Sequence, residues 1–165
     1  MNPRKFLQSL PSTIKYTHIN QITPHDHKLK QDDPNWLKPR GVYQRNRALD
    51  YLRENHKGED GLIYFMDDDN TYNVQIFKEM RKIPKGKVGV WPVGIVGKLR
   101  YEGPVCKDGQ VTKWFTAWKA DRPFPLDMAG FSFHLSYGFC IHIIFLKSLL
   151  QISLIENVFC RLQNL

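Results

Sequence analysis

The sequence predicts an α/β three-layer fold with a β-hairpin. Two apolar runs, residues 62–66 and 88–96, have the length and composition of buried strands. Two other segments, residues 41–54 and 74–80, carry apolar residues at helical spacing and alternate with those runs. Helices that alternate with parallel strands are typical of α/β domains. A later pair of runs flanks an Asp-Gly dipeptide, which indicates a tight hairpin turn.

Length and charge limit the function classes. The chain has 165 residues, which is enough for one domain with a core but too short for two comfortable ones. Its net charge of +8 is scattered among acids, without a run of five or six like charges. A nucleic-acid binder is the weakest option, because no recognition module accompanies the charge. The three cysteines show neither metal-site spacing nor an even-numbered disulfide framework.

The N-terminal third is predicted to be mostly loop and then helix. Residues 1–39 carry weak periodicity, with a short helix or strand near residues 6–7 and 14–19. Residues 41–54 form a helix whose buried stripe is Val42, Leu49 and Leu52. Arg40 lies at the start of this helix and Arg45 one turn in, where a helix attracts phosphate. The alternative is a pair of ordinary surface arginines.

Three consecutive carboxylates, Asp67, Asp68 and Asp69, follow the first predicted strand. Adjacent carboxylates repel each other, and a cation relieves that repulsion. Hard oxygen ligands at a strand end suit Mg²⁺ or Mn²⁺, which in turn hold phosphate groups. The alternative is an acidic turn in which Asp69 or Asn70 caps the helix at residues 74–80. Both interpretations can hold together.

The second half begins with a buried strand at residues 88–96 and a hairpin of residues 99–106 and 110–118. From residue 131 the chain becomes strongly apolar, with only three full charges. Three accounts of this tail stay open: a buried core helix, a marginal membrane segment, and a segment that is not the native continuation of the domain.

Six motifs in this order resemble the β-1,3-glucuronyltransferases. They cover most of residues 34–131 and begin with a Pro-Arg-Gly-Val motif and a Tyr-Phe-x-Asp-Asp-Asp-Asn-Thr-Tyr motif. The full set lies at residues 39–46, 64–72, 90–94, 102–104, 116–118 and 122–131. The resemblance implies a GT-A fold, the Rossmann-like fold of nucleotide-diphospho-sugar transferases. It also implies transfer of glucuronic acid from UDP-glucuronate to a terminal galactose of a proteoglycan linker or glycoprotein glycan, with Mn²⁺ dependence and inversion. Membrane association at the lumenal side of the Golgi apparatus follows from it as well, and a homodimer stays open.

The resemblance also implies roles for individual residues. Asp69 corresponds to the direct metal ligand. The residues that contact UDP-glucuronate correspond to Arg40, Arg45, Asp67, Asp68 and Asp69. The residues around the acceptor galactose correspond to Glu102, Trp118, Arg122 and Asp127. Arginine binds phosphate and carboxylate through its forked donors, and acids and indole suit sugar hydroxyls and sugar faces.

The chain departs from the family pattern at both ends. Met1 is expected to lie after the positions at which the family has its signal anchor and its uracil-binding strand. Glu156 is the only acid after Asp127 and lacks the context of the catalytic base, and neither His134 nor His142 matches the diphosphate-contacting histidine. No catalytic residue is therefore assigned. We expect a partial catalytic domain at residues 1–131 and an apolar non-family tail at residues 132–165. The alternative function is a non-catalytic UDP- and metal-binding remnant, or a partner of a full-length enzyme.

Overall fold

The computed structural model describes residues 9–33, 41–96, 98–118, 120–121, 125–136, 145–146, 149–150 and 158–160. Within these ranges the fold is mixed α/β, which confirms that part of the prediction, whereas the three-layer arrangement stays a prediction. Two α-helices lie entirely within these ranges, α1 (Val42–Asn55) and α2 (Ile76–Met80), together with two 3₁₀ turns, His25–His27 and Met128–Gly130. The strands are β1 (Leu62–Ile63), β2 (Val88–Val90), β3 (Val93–Val96), β4 (Leu99–Lys107), β5 (Gln110–Phe115), β6 (Phe131–His134), β7 (Phe145–Leu146), β8 (Leu149–Leu150) and β9 (Val158–Cys160).

The central sheet has the strand order β1-β6-β2-β9. Strand β6 is antiparallel to both β1 and β2, whereas β9 is parallel to β2. The sequence predicts parallel strands, and β1 and β2 do run in the same direction. They are not neighbours, however, because the apolar strand β6 lies between them and pairs with both.

The hydrophobic core is formed by side chains of this sheet and of α1. Phe131 and Phe133 stack with ring centroids 6.2 Å apart and are almost completely buried. Leu49 of α1 is 2% exposed and belongs to the same cluster, with Val42 and Leu52 packed against it. The stripe predicted for this helix is therefore confirmed. The buried members of the cluster are Leu49, Ile63, Val88, Val90, Phe131, Phe133, Leu135 and Cys160.

The run at residues 88–96, which was predicted to be one strand, is two strands in two sheets. Strand β2 belongs to the central sheet, whereas β3 pairs with β4 in a second sheet of order β3-β4-β5. The chain turns at Trp91 and Pro92, and proline has no N–H for a central ladder. A Cβ on Gly103 would lie 2.7 Å from the Cα of Pro92, so only glycine lets the two sheets approach at this corner.

The hairpin prediction is confirmed. Strands β4 and β5 pair in antiparallel fashion, and Lys107 faces Gln110 across a two-residue turn. Asp108 and Gly109 have φ values of 51° and 78°. Positive φ at both central residues is the geometry that favours Asp-Gly in hairpin turns.

The second helix differs from its prediction. It begins at Ile76 rather than at residue 74, and only Met80 of the expected apolar face is buried. Val74 is 75% exposed and Phe77 is 43% exposed. Neither Asp69 nor Asn70 caps this helix. The preceding turn is held instead by the side chain of Asn73, which accepts a hydrogen bond of 2.9 Å from the N–H of Gln75.

The two ends of the chain are described only in part. Residues 14–19 form neither helix nor strand, and residues 6–7 lie outside the described ranges. Residues 132–134 continue strand β6 in the core, while most of residues 137–157, including His142 and Glu156, lie outside the description. In the described part of the chain, no helix combines the length and apolar character needed to cross a bilayer. The division at residue 131 stays a prediction.

Candidate functional site

Arg45 and Asp67 form an ion pair at the centre of the site. Nη2 of Arg45 lies 2.6 Å from Oδ1 of Asp67, and the two side chains are 21% and 37% exposed. Arg45 comes from the first turn of α1 and Asp67 from the segment after β1. The pair therefore joins the start of the helix to the first of the three carboxylates.

Glycine is required beside this arginine. Gly41 precedes α1 with φ of 69°, a left-handed conformation that residues with a Cβ rarely adopt. A Cβ at this position would lie 2.8 Å from Nη1 of Arg45. Gly41 thus leaves room for the guanidinium at the helix start.

The acidic loop, which we define as residues 67–72, is closed by the hydroxyl of Tyr72. This oxygen accepts hydrogen bonds from the N–H of Asp67 at 2.7 Å and from Nδ2 of Asn70 at 3.3 Å. It donates to the carbonyl of Asp67 at 3.2 Å. One side chain thus fixes both ends of the segment that carries the carboxylates.

Asp68 and Asp69 are exposed at the tip of this loop. Their carboxylates make no hydrogen bond or ion pair to other described residues, so their oxygens face solvent. Clusters of three or more His, Cys, Asp or Glu side chains that could hold a metal are absent from the described residues. Magnesium-like ions need only one or two carboxylates when phosphates and water complete the shell. The exposed hard oxygens of Asp69 fit that type of site.

The carbonyl of Ala129 accepts two hydrogen bonds from aromatic side chains. Tyr64 donates through its hydroxyl at 3.0 Å and Trp91 through Nε1 at 2.8 Å. The rings of Tyr64 and Trp91 are in contact, with centroids 5.7 Å apart. These bonds connect the strand that leads into the acidic loop with the Asp-Met-Ala-Gly motif.

Asp127 begins that motif and caps its 3₁₀ turn. Its Oδ1 accepts a hydrogen bond of 2.9 Å from the N–H of Ala129. Burial, followed by the negative charge of Tyr72 when ionised and those of Asp127 and Asp67, raises the pKa of Tyr64 well above its ordinary value. The Tyr64 hydroxyl therefore keeps its proton and remains a donor at neutral pH.

Glu102 belongs to hairpin strand β4 and is buried, with 4% of its surface exposed. Its Oε1 accepts hydrogen bonds from the Thr116 hydroxyl at 2.9 Å and from the N–H of Ala117 at 3.1 Å. Thr116 also accepts a hydrogen bond of 3.3 Å from the N–H of Trp118. Trp118 is 44% exposed. The buried carboxylate thus holds the segment that presents an exposed indole.

The structure brings several of the predicted site residues together. Arg45 joins Asp67, and contacts through Tyr72, Tyr64 and Ala129 connect this pair to Asp127. Glu102 and Trp118 form a second group on the hairpin side. Arg40 and Arg122 lie outside the described residues.

Sequence reasoning missed the side chains that support these groups. They are Tyr64, Tyr72, Trp91 and Thr116. Each belongs to a motif that was singled out for another residue. The sequence signal that could have identified them is the side chain itself, an aromatic or hydroxyl group with a hydrogen-bond donor. Such a group needs a partner when it is buried.

A disulfide links Cys106 of β4 to Cys160 of β9, with Cα atoms 6.1 Å apart. Cys160 is buried in the core, and its N–H donates to the carbonyl of Gly109 in the hairpin turn. The cysteine spacing did not predict this bond, because 54 positions separate the two residues.

Comparison with known proteins identifies the family. Residues 4–139 match the profile of glycosyltransferase family 43. Galactosylgalactosylxylosylprotein 3-beta-glucuronosyltransferase 3 of Mus musculus is 49% identical over 132 residues, covering 73% of this chain and 39% of the mouse protein. The corresponding enzyme sqv-8 of Caenorhabditis elegans is 50% identical over 127 residues, covering 76% of this chain and 35% of its own length. Galactosylgalactosylxylosylprotein 3-beta-glucuronosyltransferase I of Drosophila melanogaster is 54% identical over 120 residues, covering 70% of this chain and 39% of the fly protein.

The chain spans about two fifths of the length of these relatives. The predicted resemblance to the β-1,3-glucuronyltransferases is confirmed by their names and by the identity, and the family match covers well over half of the chain. The chain therefore belongs to glycosyltransferase family 43.

Proposed function

We propose that this chain carries part of the catalytic domain of a glucuronosyltransferase. The reaction is transfer of glucuronic acid from UDP-glucuronate to a terminal galactose of a proteoglycan linker or glycoprotein glycan. The relatives are named as galactosylgalactosylxylosylprotein 3-beta-glucuronosyltransferases, which supports this reaction. The observation that carries the proposal is the Arg45–Asp67 ion pair beside two exposed carboxylates, because it combines a phosphate-binding cation with a metal-binding anion.

The donor half of the site consists of the start of α1 and the acidic loop. Arg45 offers forked N–H donors that suit the phosphates or the carboxylate of UDP-glucuronate. Asp67 orients that guanidinium through its 2.6 Å contact. Asp68 supplies carboxylate oxygens that accept hydrogen bonds from sugar hydroxyls. Arg40 joins this half by family correspondence.

We assign the Mn²⁺ site to Asp69. Its carboxylate is exposed and makes no bond to other described residues, so it is available for a hard cation. When bound there, Mn²⁺ supplies Lewis-acid assistance to the departing diphosphate. Tyr72 holds the loop in place by bonding both the N–H and the carbonyl of Asp67.

The acceptor half consists of the hairpin side and the Asp-Met-Ala-Gly motif. The exposed indole of Trp118 offers an apolar face on which a galactose ring packs. Oδ1 of Asp127 is engaged by Ala129, which leaves the second carboxylate oxygen for a sugar hydroxyl. Glu102 keeps the Trp118 segment in register, and Arg122 joins this half by family correspondence.

Further parts of the proposal concern fold and location. A GT-A fold and an inverting reaction are expected of the complete catalytic domain. We place the protein at the Golgi membrane on its lumenal side. The Cys106–Cys160 disulfide supports a lumenal location, because such bonds persist in oxidising compartments. Homodimer formation belongs to the same proposal and is checked by the mass in solution.

Calorimetric titration with UDP in the presence of Mn²⁺ tests the donor site. We expect wild type to bind Mn²⁺–UDP and Asp69→Ala to bind it at least about tenfold more weakly, since a charged contact is lost. Asp32→Ala, which removes another exposed carboxylate, serves as the matched control. Equal affinity in wild type and Asp69→Ala would remove the metal assignment.

Donor choice and turnover are tested separately. Competition among UDP-glucuronate, UDP-glucose and UDP-N-acetylglucosamine measures donor preference, and tighter binding of the glucuronate is expected because of Arg45. Incubation with galactosylgalactose then measures transfer. Mn²⁺–UDP binding without turnover, together with co-purification of a full-length enzyme, would favour the non-catalytic alternative.

A further inference from the structure

Ala129 is held at both of its backbone polar groups. Its carbonyl accepts hydrogen bonds from Tyr64 and Trp91, which uses the two lone pairs of that oxygen. Its N–H donates to the carboxylate of Asp127. A displacement of this residue therefore moves the carboxylate that begins the motif.

Tyr64 is also in contact with the acidic loop. Its ring packs edge to face on the ring of Tyr72, with centroids 6.0 Å apart and planes at 86°. Tyr72 in turn bonds both backbone groups of Asp67. A change in the acidic loop thus reaches Tyr64 through a single aromatic contact.

We propose that Tyr64 is a positioning residue that couples the acidic loop to Asp127. The chain of contacts runs from Asp67 through Tyr72, Tyr64 and Ala129 to Asp127. Ordering of the acidic loop orders Tyr72, which fixes the hydroxyl of Tyr64 against the Ala129 carbonyl and thereby places the Asp127 carboxylate. The naming of the two ends as donor and acceptor halves rests on the proposed function, whereas the coupling itself does not.

Coupling of this kind has a thermodynamic consequence. A ligand that orders the acidic loop must raise the affinity of the Asp127 side for its own ligand, and the reverse effect must have the same size. A double-mutant cycle measures such coupling directly.

The test measures amide hydrogen exchange by NMR in the free protein with Tyr64→Phe, Tyr72→Phe and the double variant. Tyr72→Phe removes the acceptor of the Asp67 N–H, so the exchange rate of that amide is expected to rise about threefold to tenfold. With Tyr64 present, the exchange rate of the Ala129 amide is expected to rise as well. In the Tyr64→Phe background, the Tyr72 substitution is expected to leave the Ala129 amide unchanged.

Tyr101→Phe is the matched control. Tyr101 is 44% exposed and lies on the hairpin in contact with Phe115, so its loss should change neither amide. The coupling is overturned if Tyr72→Phe changes only the Asp67 amide, or if it changes the Ala129 amide equally in both backgrounds. Should Tyr64→Phe not fold, an unchanged Ala129 amide in Tyr72→Phe alone overturns the proposal, and an accelerated one supports it.

Failure of this proposal is distinct from failure of the proposed function. A second set of spectra with Mg²⁺–UDP added reports whether the acidic loop binds the nucleotide. Absence of any change at the Asp67 amide argues against the donor site and leaves the mutational cycle valid. Slower exchange at Asp67 without slower exchange at Ala129 argues against the coupling alone.

Discussion

The guanidinium of Arg45 lies 2.6 Å from the carboxylate of Asp67, and the two residues are 22 positions apart in the chain. A partly exposed ion pair of this kind contributes at most about 1 kcal/mol to folding. Its larger effect is on orientation, because it holds a forked donor next to two carboxylates that face solvent. We therefore expect changes at this pair to affect ligand binding more than stability.

Arg45→Lys tests this expectation. Lysine keeps the charge but loses the forked geometry that matches phosphate and carboxylate, so Mn²⁺–UDP affinity should fall about tenfold. The melting temperature should change little. Arg47→Lys is the matched control, because Arg47 pairs with the exposed Glu54 on the same helix. Equal losses of affinity in the two variants would argue against a specific role for Arg45.

Gly41→Ala tests the space beside the guanidinium. The substitution should cost about 1 to 2 kcal/mol of unfolding free energy, because alanine disfavours the left-handed conformation. It should also weaken Mn²⁺–UDP binding, because the new Cβ crowds Arg45. Gly86→Ala has nearly the same φ, 71°, but no atom within 4 Å of the added Cβ. If Gly86→Ala weakens binding equally, crowding is not the cause.

Glu102 is expected to act through the Thr116–Trp118 segment. Glu102→Ala leaves the Thr116 hydroxyl and the Ala117 N–H without their acceptor, which should cost about 1 to 3 kcal/mol in urea unfolding. Glu102→Gln keeps an acceptor oxygen at that position, and its loss should stay below about 1 kcal/mol. Comparable losses in both variants would show that charge, rather than hydrogen bonding, holds the segment.

Alkaline pH is expected to destabilise the fold through Tyr64. Its pKa is raised in the folded state, mainly by burial, so the unfolded chain loses this proton first as the pH rises above about 10. The contribution of this group to the free energy of unfolding is therefore fully present below that pH and decreases above it. Urea unfolding between about pH 9 and 11 should show a smaller decrease in Tyr64→Phe than in wild type. Tyr101→Phe serves as control, and parallel pH profiles of wild type and Tyr64→Phe would contradict the prediction.

The disulfide should be detectable by thiol alkylation and by its effect on urea unfolding. The chain has three cysteines, so alkylation should label one before reduction and three after it. Closing a loop of 54 positions corresponds to about 4 kcal/mol in the chain-entropy estimate. Cys160→Ser should therefore lower the urea midpoint in non-reducing buffer and match reduced wild type. Labelling of all three thiols without reduction would exclude the bond.

The sequence predicted what depends on local pattern. The helix at Val42–Asn55 follows from its apolar stripe, and the hairpin turn follows from the need for positive φ at Asp108 and Gly109. The pairing of Arg45 with Asp67 was not predicted as a contact, although both residues were assigned to one ligand. Resemblance grouped them by role, and only the fold placed them side by side.

What the sequence did not predict depends on long-range pairing. Strand β6 lies between β1 and β2, and no local signal shows which of several apolar runs will be neighbours. The exposure of Val74 and Phe77 was missed because helical spacing indicates a common face but not whether another element covers it. The disulfide was missed for the same reason, since Cys106 and Cys160 meet only after β9 pairs with β2.

The corner at Trp91 and Pro92 has a consequence for how this molecule tolerates change. At this corner the chain leaves the packed central sheet and enters the second sheet, whose outer strand β5 is largely exposed. The turn at Asp108 and Gly109 is bonded to the central sheet, because the Gly109 carbonyl accepts a hydrogen bond from the N–H of Cys160 and Cys106 is disulfide-linked to the same residue. Substitutions at an exposed position of the outer strand, such as Lys113, should instead leave the packing of the central sheet intact. The exposed face of β5 is therefore the part of the hairpin in which the sequence can change at the least cost to folding, whereas Cys106 and Gly109 are held by the core.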